Sequence, residues 1–201
     1  PGAAAPAVYN QPCWAPPRAA SIFIKRMIKR LFKRVFGKAG NSIAAGACRV
    51  IPFEKHGVSR DGISYGARKV TDGLQAAGYQ AFVVGGAVRD LLLDRHPKDF
   101  DVATDATPEE VRRVFRRSRI IGRRFRLVHV MFGEETVEVS TFRRAMEADE
   151  AETDEHGRIL RDNEFGDQQQ DAARRDFTAN ALFYDPATQQ IYDYHDGYAD
   201  I

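Results

Sequence analysis

The chain has 201 residues, 43% of them apolar, and a formal net charge of +2. That is room for one ordinary domain with a tail or two small ones, and the near-neutral total means that charge has to be read by segment. Cys13 and Cys48 are the only cysteines and lack metal-ligand spacing, no apolar run could cross a bilayer, and the amino end lacks a secretory hydrophobic region, so a cytoplasmic protein with reduced thiols is expected.

Residues 1–20 are rich in Pro and Ala, show no periodicity, and are expected to be disordered. From Ser21 the pattern becomes IFIKRMIKRLFKRVFGK, with Ile24, Met27, Ile28, Leu31, Phe32, Val35 and Phe36 at helical spacing and Lys or Arg opposite them. A basic amphipathic helix over 22–36 could touch RNA, lie on a membrane surface or dock on a partner; a poorly ordered tail is the plainer reading. Met27 is a candidate natural start, which would make residues 1–26 upstream translation. The expected division is a flexible tail over 1–50 and one domain over 51–201, beginning at Ile51-Pro52.

Ile63, Ala67, Val70 and Leu74 predict a helix over 63–77, stopped by Gly78. Then AFVVGGAVRDLLLDRHPKDFDVAT, residues 81–104, organises the chain. Phe82-Val83-Val84 predicts a strand, Gly85-Gly86 a turn, and Ala87–Leu93 a short helix carrying Arg89. Paired glycines let backbone N–H groups approach a phosphate, and Arg89 could hold one of its oxygens, although the same pattern also makes an ordinary strand-to-helix turn. In Lys98-Asp99-Phe100-Asp101-Val102, strand alternation puts Asp99 and Asp101 on one face and Phe100 and Val102 on the other. Neighbouring carboxylates repel unless they share a cation, and their hard oxygens suit magnesium or manganese; Asp-x-Asp alone is also a common surface pattern.

Thr107-Pro108-Glu109-Glu110 reads as a capping box opening a helix through Val111, Val114 and Phe115. No acid interrupts from Val111 to Gly133, so Arg112, Arg113, Arg116, Arg117, Arg119, Arg123, Arg124 and Arg126 could attract a phosphate backbone or a triphosphate. For Arg112–Arg117 a solvated helix face is slightly preferred. Leu127–Phe132 and Thr136–Phe142 predict a hairpin in which Glu138 would aid a metal or water if its face bordered the Asp pair, and would otherwise be a half-exposed strand residue. His129 reads as structural. Glu147–Gly157 should be a mobile acidic loop, Asp167–Leu182 a helix burying Ala172, Ala173, Phe177, Ala179 and Leu182, and Ile191–Tyr194 a short strand before an Asp196-Gly197 turn.

G-G-A-V-R-D followed by P-K-D-F-D-V-A-T resembles the head domain of the polymerase-β-type nucleotidyltransferases that extend RNA 3′ ends, the class II group of bacterial poly(A) polymerases and CCA-adding enzymes. Ile120–Val130 (IIGRRFRLVHV) resembles the poly(A) polymerase branch, and D-N-E-F-G (162–166) and R-R-D-F-T-A-N-A-L (174–182) resemble further elements of the group. The resemblance covers roughly Ile51 to Ile201. It implies an α/β head with a small, mixed, twisted sheet flanked by helices. It also implies that Asp176 joins Asp99 and Asp101 as catalytic carboxylates and that Arg175 contacts the nucleotide; an ion pair of Arg175 with a neighbouring acid is the plainer reading.

The expected chemistry is a two-metal displacement in which Asp99 and Asp101 bind magnesium or manganese, Gly85, Gly86 and Arg89 cradle phosphates, and an RNA 3′-hydroxyl attacks the α-phosphorus of ATP, releasing pyrophosphate. A CCA-adding enzyme would share these residues, and a non-enzymatic RNA-binding fragment is the alternative from another class. The resemblance further implies a neck with a base-reading E-D-x-x-R element and RNA-binding domains beyond Ile201, so the chain reads as a truncated piece.

Overall fold

A computed structural model describes residues 47–122, 125–145 and 165–201. Its strands are β1 (Arg49–Ile51), β2 (Ala81–Val84), β3 (Asp101–Thr104), β4 (Ser118–Ile121), β5 (Leu127–Phe132), β6 (Glu135–Thr141), β7 (Leu182–Asp185) and β8 (Gln190–Asp193). The helices are α1 (Phe53–His56), α2 (Tyr65–Ala76), α3 (Gly86–Leu92), α4 (Pro108–Val114) and α5 (Gln168–Ala173). The basic helix expected over 22–36, Arg123, Arg124, the acidic stretch Glu147–Gly157 and most of the D-N-E-F-G element lie outside the described residues.

All eight strands form one sheet in the order β1-β8-β7-β2-β3-β6-β5-β4. Only the central β3–β6 pair is parallel, because α4 and the antiparallel β4–β5 pair intervene in sequence between its two strands. The mixed sheet expected from the resemblance is therefore present, with eight strands among the described residues.

Alternation along the central strands sends apolar side chains to both faces. Val83, Val102, Val128, Val130, Val137 and Val139 pack with Ala67, Val70 and Leu74 of α2 and with Val111 of α4 in one core. On the opposite face Phe82 contacts Phe142, Phe183 and Tyr192 through ring pairs with centroids 5.4–6.3 Å apart. Central β2 is buried along its whole length, which explains why its sequence reads as a continuous apolar run.

Helix boundaries follow their caps. Ser64 accepts the Ala67 amide to open α2, which ends beside Gly78 at φ 92°. Thr107 and Glu110 form the predicted capping box, with Pro108 as the first helical residue. Several elements differ from expectation. The sheet starts at Arg49, ahead of Ile51. β3 begins at Asp101, so Asp99 precedes the strand.

The helix expected over 167–182 is α5 alone, followed by a bend, a 3-10 turn at Thr178–Asn180 and then β7. The aromatic and β-branched run from Leu182 belongs in the sheet, and Phe177, expected to be buried, is 64% exposed. β4, for which no strand was expected, pairs with β5 as the sheet edge.

The Thr107 cap satisfies an otherwise orphaned amide at the helix start, so Thr107→Ala should lower unfolding free energy by about 1 kcal/mol. Urea denaturation checks this, and an unchanged midpoint would mean that the cap contributes nothing.

Candidate functional site

The site forms at one end of the sheet, where β2 stops and β3 starts. Val84 is paired with Asp101, and the next residue, Gly85, takes φ 73° and ψ −142°, a conformation that side-chain-bearing residues rarely adopt. That turn swings the chain into α3. A Cβ built on Gly85 would lie 3.8 Å from both Asp101 Oδ2 and Arg175 Nη1, so a carboxylate and a guanidinium flank the same bend.

Asp101 is placed by register. Its partner on β2 is Val84 and its partner on β6 is Glu138, and side chains directly opposite one another share a face. Asp101 is open to solvent on one side, yet protein crowds the other. Burial, then the Glu138 carboxylate, and more weakly Asp99 push its carboxyl above the usual aspartate range, while Arg175 acts against them. The condition set for Glu138, that its face border the aspartates, holds for Asp101 by this register. The same row runs outward through His129, with Nε2 3.6 Å from Glu138 Oε2, to Arg119 opposite it on β4.

Arg175 is held from behind. Asp171 on α5 is fully buried and accepts Arg175 Nε at 3.2 Å and Nη2 at 2.9 Å on one oxygen, and Arg174 Nε at 2.9 Å and the Arg143 amide at 3.2 Å on the other. The Arg175 guanidinium lies 5.3 Å from the centre of the Phe183 ring, and its Nη1 donates to the Asn180 carbonyl at 3.4 Å. The ion pair weighed as the plain reading of Arg175 thus exists, but it is buried, so it fixes the arginine instead of merely solvating it.

Asp171 was the residue that sequence reasoning passed over. Its signal is the spacing Asp171-x-x-Arg174-Arg175, which puts one acid beneath two bases on a helix turn.

Arg89 folds back over the start of its own helix. Its Nη1 donates to Asn180 Oδ1 at 2.9 Å, and its Nε and Nη2 donate to Asp90 Oδ1 at 3.0 and 2.8 Å. A Cβ on Gly86 would meet Arg89 Nη2 at 3.4 Å, so Gly86 is the spot where this arginine rests against the backbone. Asn180 ties both arginines together, through its side chain to Arg89 and its main chain to Arg175.

The structure therefore brings together Gly85, Asp101, Arg175 and Glu138, with Asp99 close enough to bear on Asp101. Asp176 stands exposed in the bend after α5, and the carboxylate that presses hardest on Asp101 is Glu138. Among the described residues no three His, Cys, Asp or Glu side chains form a closed metal centre. Two adjacent carboxylates are nevertheless the donor set that magnesium uses when water and substrate phosphates complete its shell.

Because the folded state raises the Asp101 proton affinity, Asp101 favours folding below the unfolded aspartate value near 4 and loses that advantage as pH rises through its folded value. In buffer free of divalent ions, Asp101→Asn should raise stability at neutral pH, and the gain should vanish at acidic pH. Denaturation midpoints at the two pH values test this; a variant that is less stable at neutral pH would contradict it.

Comparison with known proteins fits this geometry. The family model for the poly A polymerase head domain matches residues 81–201. Poly(A) polymerase I of Escherichia coli O6:H1 is 50% identical over 82% of this chain and 36% of its own length. A CCA-adding enzyme of Staphylococcus aureus is 38% identical over 67% of the chain and 32% of its own length. The crystal structure of a Bacillus stearothermophilus CCA-adding enzyme in complex with CTP superposes with a TM-score of 0.51 at 36% identity, covering 66% of this chain and 30% of that one. The chain spans about a third of the length of the curated relatives it matches.

Proposed function

Because the chain belongs to the poly A polymerase head-domain family, we propose that it carries the nucleotidyl-transfer centre of an enzyme that moves AMP from ATP to an RNA 3′-hydroxyl with release of pyrophosphate. The observation that carries the proposal is the meeting of Asp101, Glu138 and Arg175 at the Gly85 turn. The relatives named poly(A) polymerase I share more identity with this chain than do those named CCA-adding enzyme, which favours adenylate addition. The same acceptor chemistry on tRNA is the second reading, supported by the CCA-adding relatives.

Asp99 and Asp101 would hold magnesium or manganese, with Glu138 beside them; the ion would offset triphosphate charge and acidify the attacking hydroxyl when bound. The rest is done by the chain. Gly85 brings backbone close to the incoming phosphates without a side chain in the way, and Arg175, locked by buried Asp171, presents its remaining donor edge toward the same place. Arg89 and Asn180 brace this wall. Asp101, exposed beside the Gly85 turn, would face the attacking hydroxyl. Asp176, carried over from the family motif, is kept as a catalytic candidate that could act from the exposed bend.

Asp99→Asn and Asp101→Asn should each lower AMP incorporation by at least about a hundredfold without loss of folding. The assay is incorporation of labelled ATP or CTP into RNA and into tRNA lacking its terminus. Near-normal turnover in Asp101→Asn would reject the proposal, and ordered CTP addition to tRNA would replace adenylate addition by the second reading.

A further inference from the structure

On the sheet face opposite Asp101, a groove of about 590 Å³ opens between the start of α2, the end of α4 and β5. That volume lies within the roughly 300–1,000 Å³ of ligand sites. Its aromatic lining is a chain of edge contacts: Tyr65 to Phe132 at 6.2 Å between ring centres and Phe132 to Phe115 at 6.3 Å. Phe115 and Phe132 are half-buried, whereas Tyr65 is 60% exposed, with Lys69 Nζ 5.6 Å from its ring centre. Neither the core nor the site just described uses that Tyr65 surface.

Arg116 and Arg117 also line the groove. Together with Arg112 they are exposed and make no ion pair with another described residue, while Arg113 makes a long one of 3.9 Å to Glu110. No acidic residue occurs between Val111 and Gly133. Arg112, Arg113, Arg116 and Arg117 are solvated, as preferred from the sequence, and the fold brings aromatic rings from residues 65 and 132 beside Arg116 and Arg117.

We infer that this groove binds a segment of single-stranded RNA, with bases against Tyr65 and its aromatic neighbours and the phosphates on Arg116 and Arg117. An exposed Tyr65 ring backed by half-buried aromatics, beside guanidiniums that make no ion pair among the described residues, matches the two halves of a nucleotide, a π-face and an anion. The arginines continue back along α4 through Arg112 and Arg113, which suits a backbone of successive phosphates better than one isolated triphosphate. An acidic peptide would satisfy the arginines and leave the aromatic wall without a planar partner. The inference rests on reading the protein as an RNA-extending enzyme, and it places upstream RNA, not the reacting end, on this second face.

The test measures anisotropy of a labelled oligoadenylate bound to the intact protein as salt is varied. Arg116→Ala with Arg117→Ala should weaken binding about tenfold and reduce the salt slope by about 1.4, and Tyr65→Ala should weaken it about tenfold while Tyr65→Phe does not. AMP transfer to a dinucleotide primer should stay unchanged in all of them. Photo-crosslinking of thiouridine-bearing RNA to the unaltered protein gives a readout free of folding effects, with adducts expected at Tyr65 or within 111–133. Wild-type affinity in both groove variants, adducts confined elsewhere, or equal competition by polyglutamate would overturn the inference. If Asp101→Asn is inactive while groove variants bind RNA normally, only this inference fails; if Asp101→Asn stays active, the enzyme reading fails first.

Discussion

One confrontation of charges governs this structure: the Asp101 carboxylate is held beside Glu138 by the pairing of β3 with β6, with the Arg175 guanidinium across the Gly85 turn. Backbone hydrogen bonds set that spacing. A one-residue slip of β3 would send Asp101 into the valine core and Val102 onto the open face, so the buried set around Val83, Val102 and Val139 enforces the register that exposes the acids. The apolar core thereby keeps an unfavourable polar arrangement in place, and unrelieved repulsion of this kind is what a bound cation removes.

The positive side of the site is built differently. Arg175 sits just past the end of a six-residue helix, a place where a long side chain would ordinarily sample many rotamers. Asp171 removes that freedom by taking two of its donors inside the protein, and the Phe183 ring limits the guanidinium plane. Burying one carboxylate under two arginines contributes little net stability, because desolvation offsets much of the attraction. Its effect is positional: the arginine meets a ligand already oriented, so less entropy is lost when phosphate arrives.

Much of this was legible in the chain. The strand, glycine turn and helix of residues 81–92, the capping box at Thr107, and the hairpin all follow from local patterns that agree with the final packing, although the hairpin turn is the two residues Gly133-Glu134 and not the three-residue Gly-Glu-Glu expected. The edge strands β1 and β4 escaped because three or four residues give too little alternation to register. The stretch from Asp167 to Leu182 misled for another reason: its alanines and leucine match helical spacing, but the run from Leu182 is drawn into the sheet by long-range pairing with β2 and β8. Residue types alone also could not rank Glu138 against Asp176, since only the parallel register puts one of them next to Asp101.

The carboxyl resonance of Asp101, followed by NMR through a pH titration with and without magnesium, tests the central claim most directly. Without the ion its midpoint should lie above the ordinary aspartate range, and magnesium should draw it down sharply. A midpoint at the ordinary value, or one that magnesium leaves in place, would contradict the account.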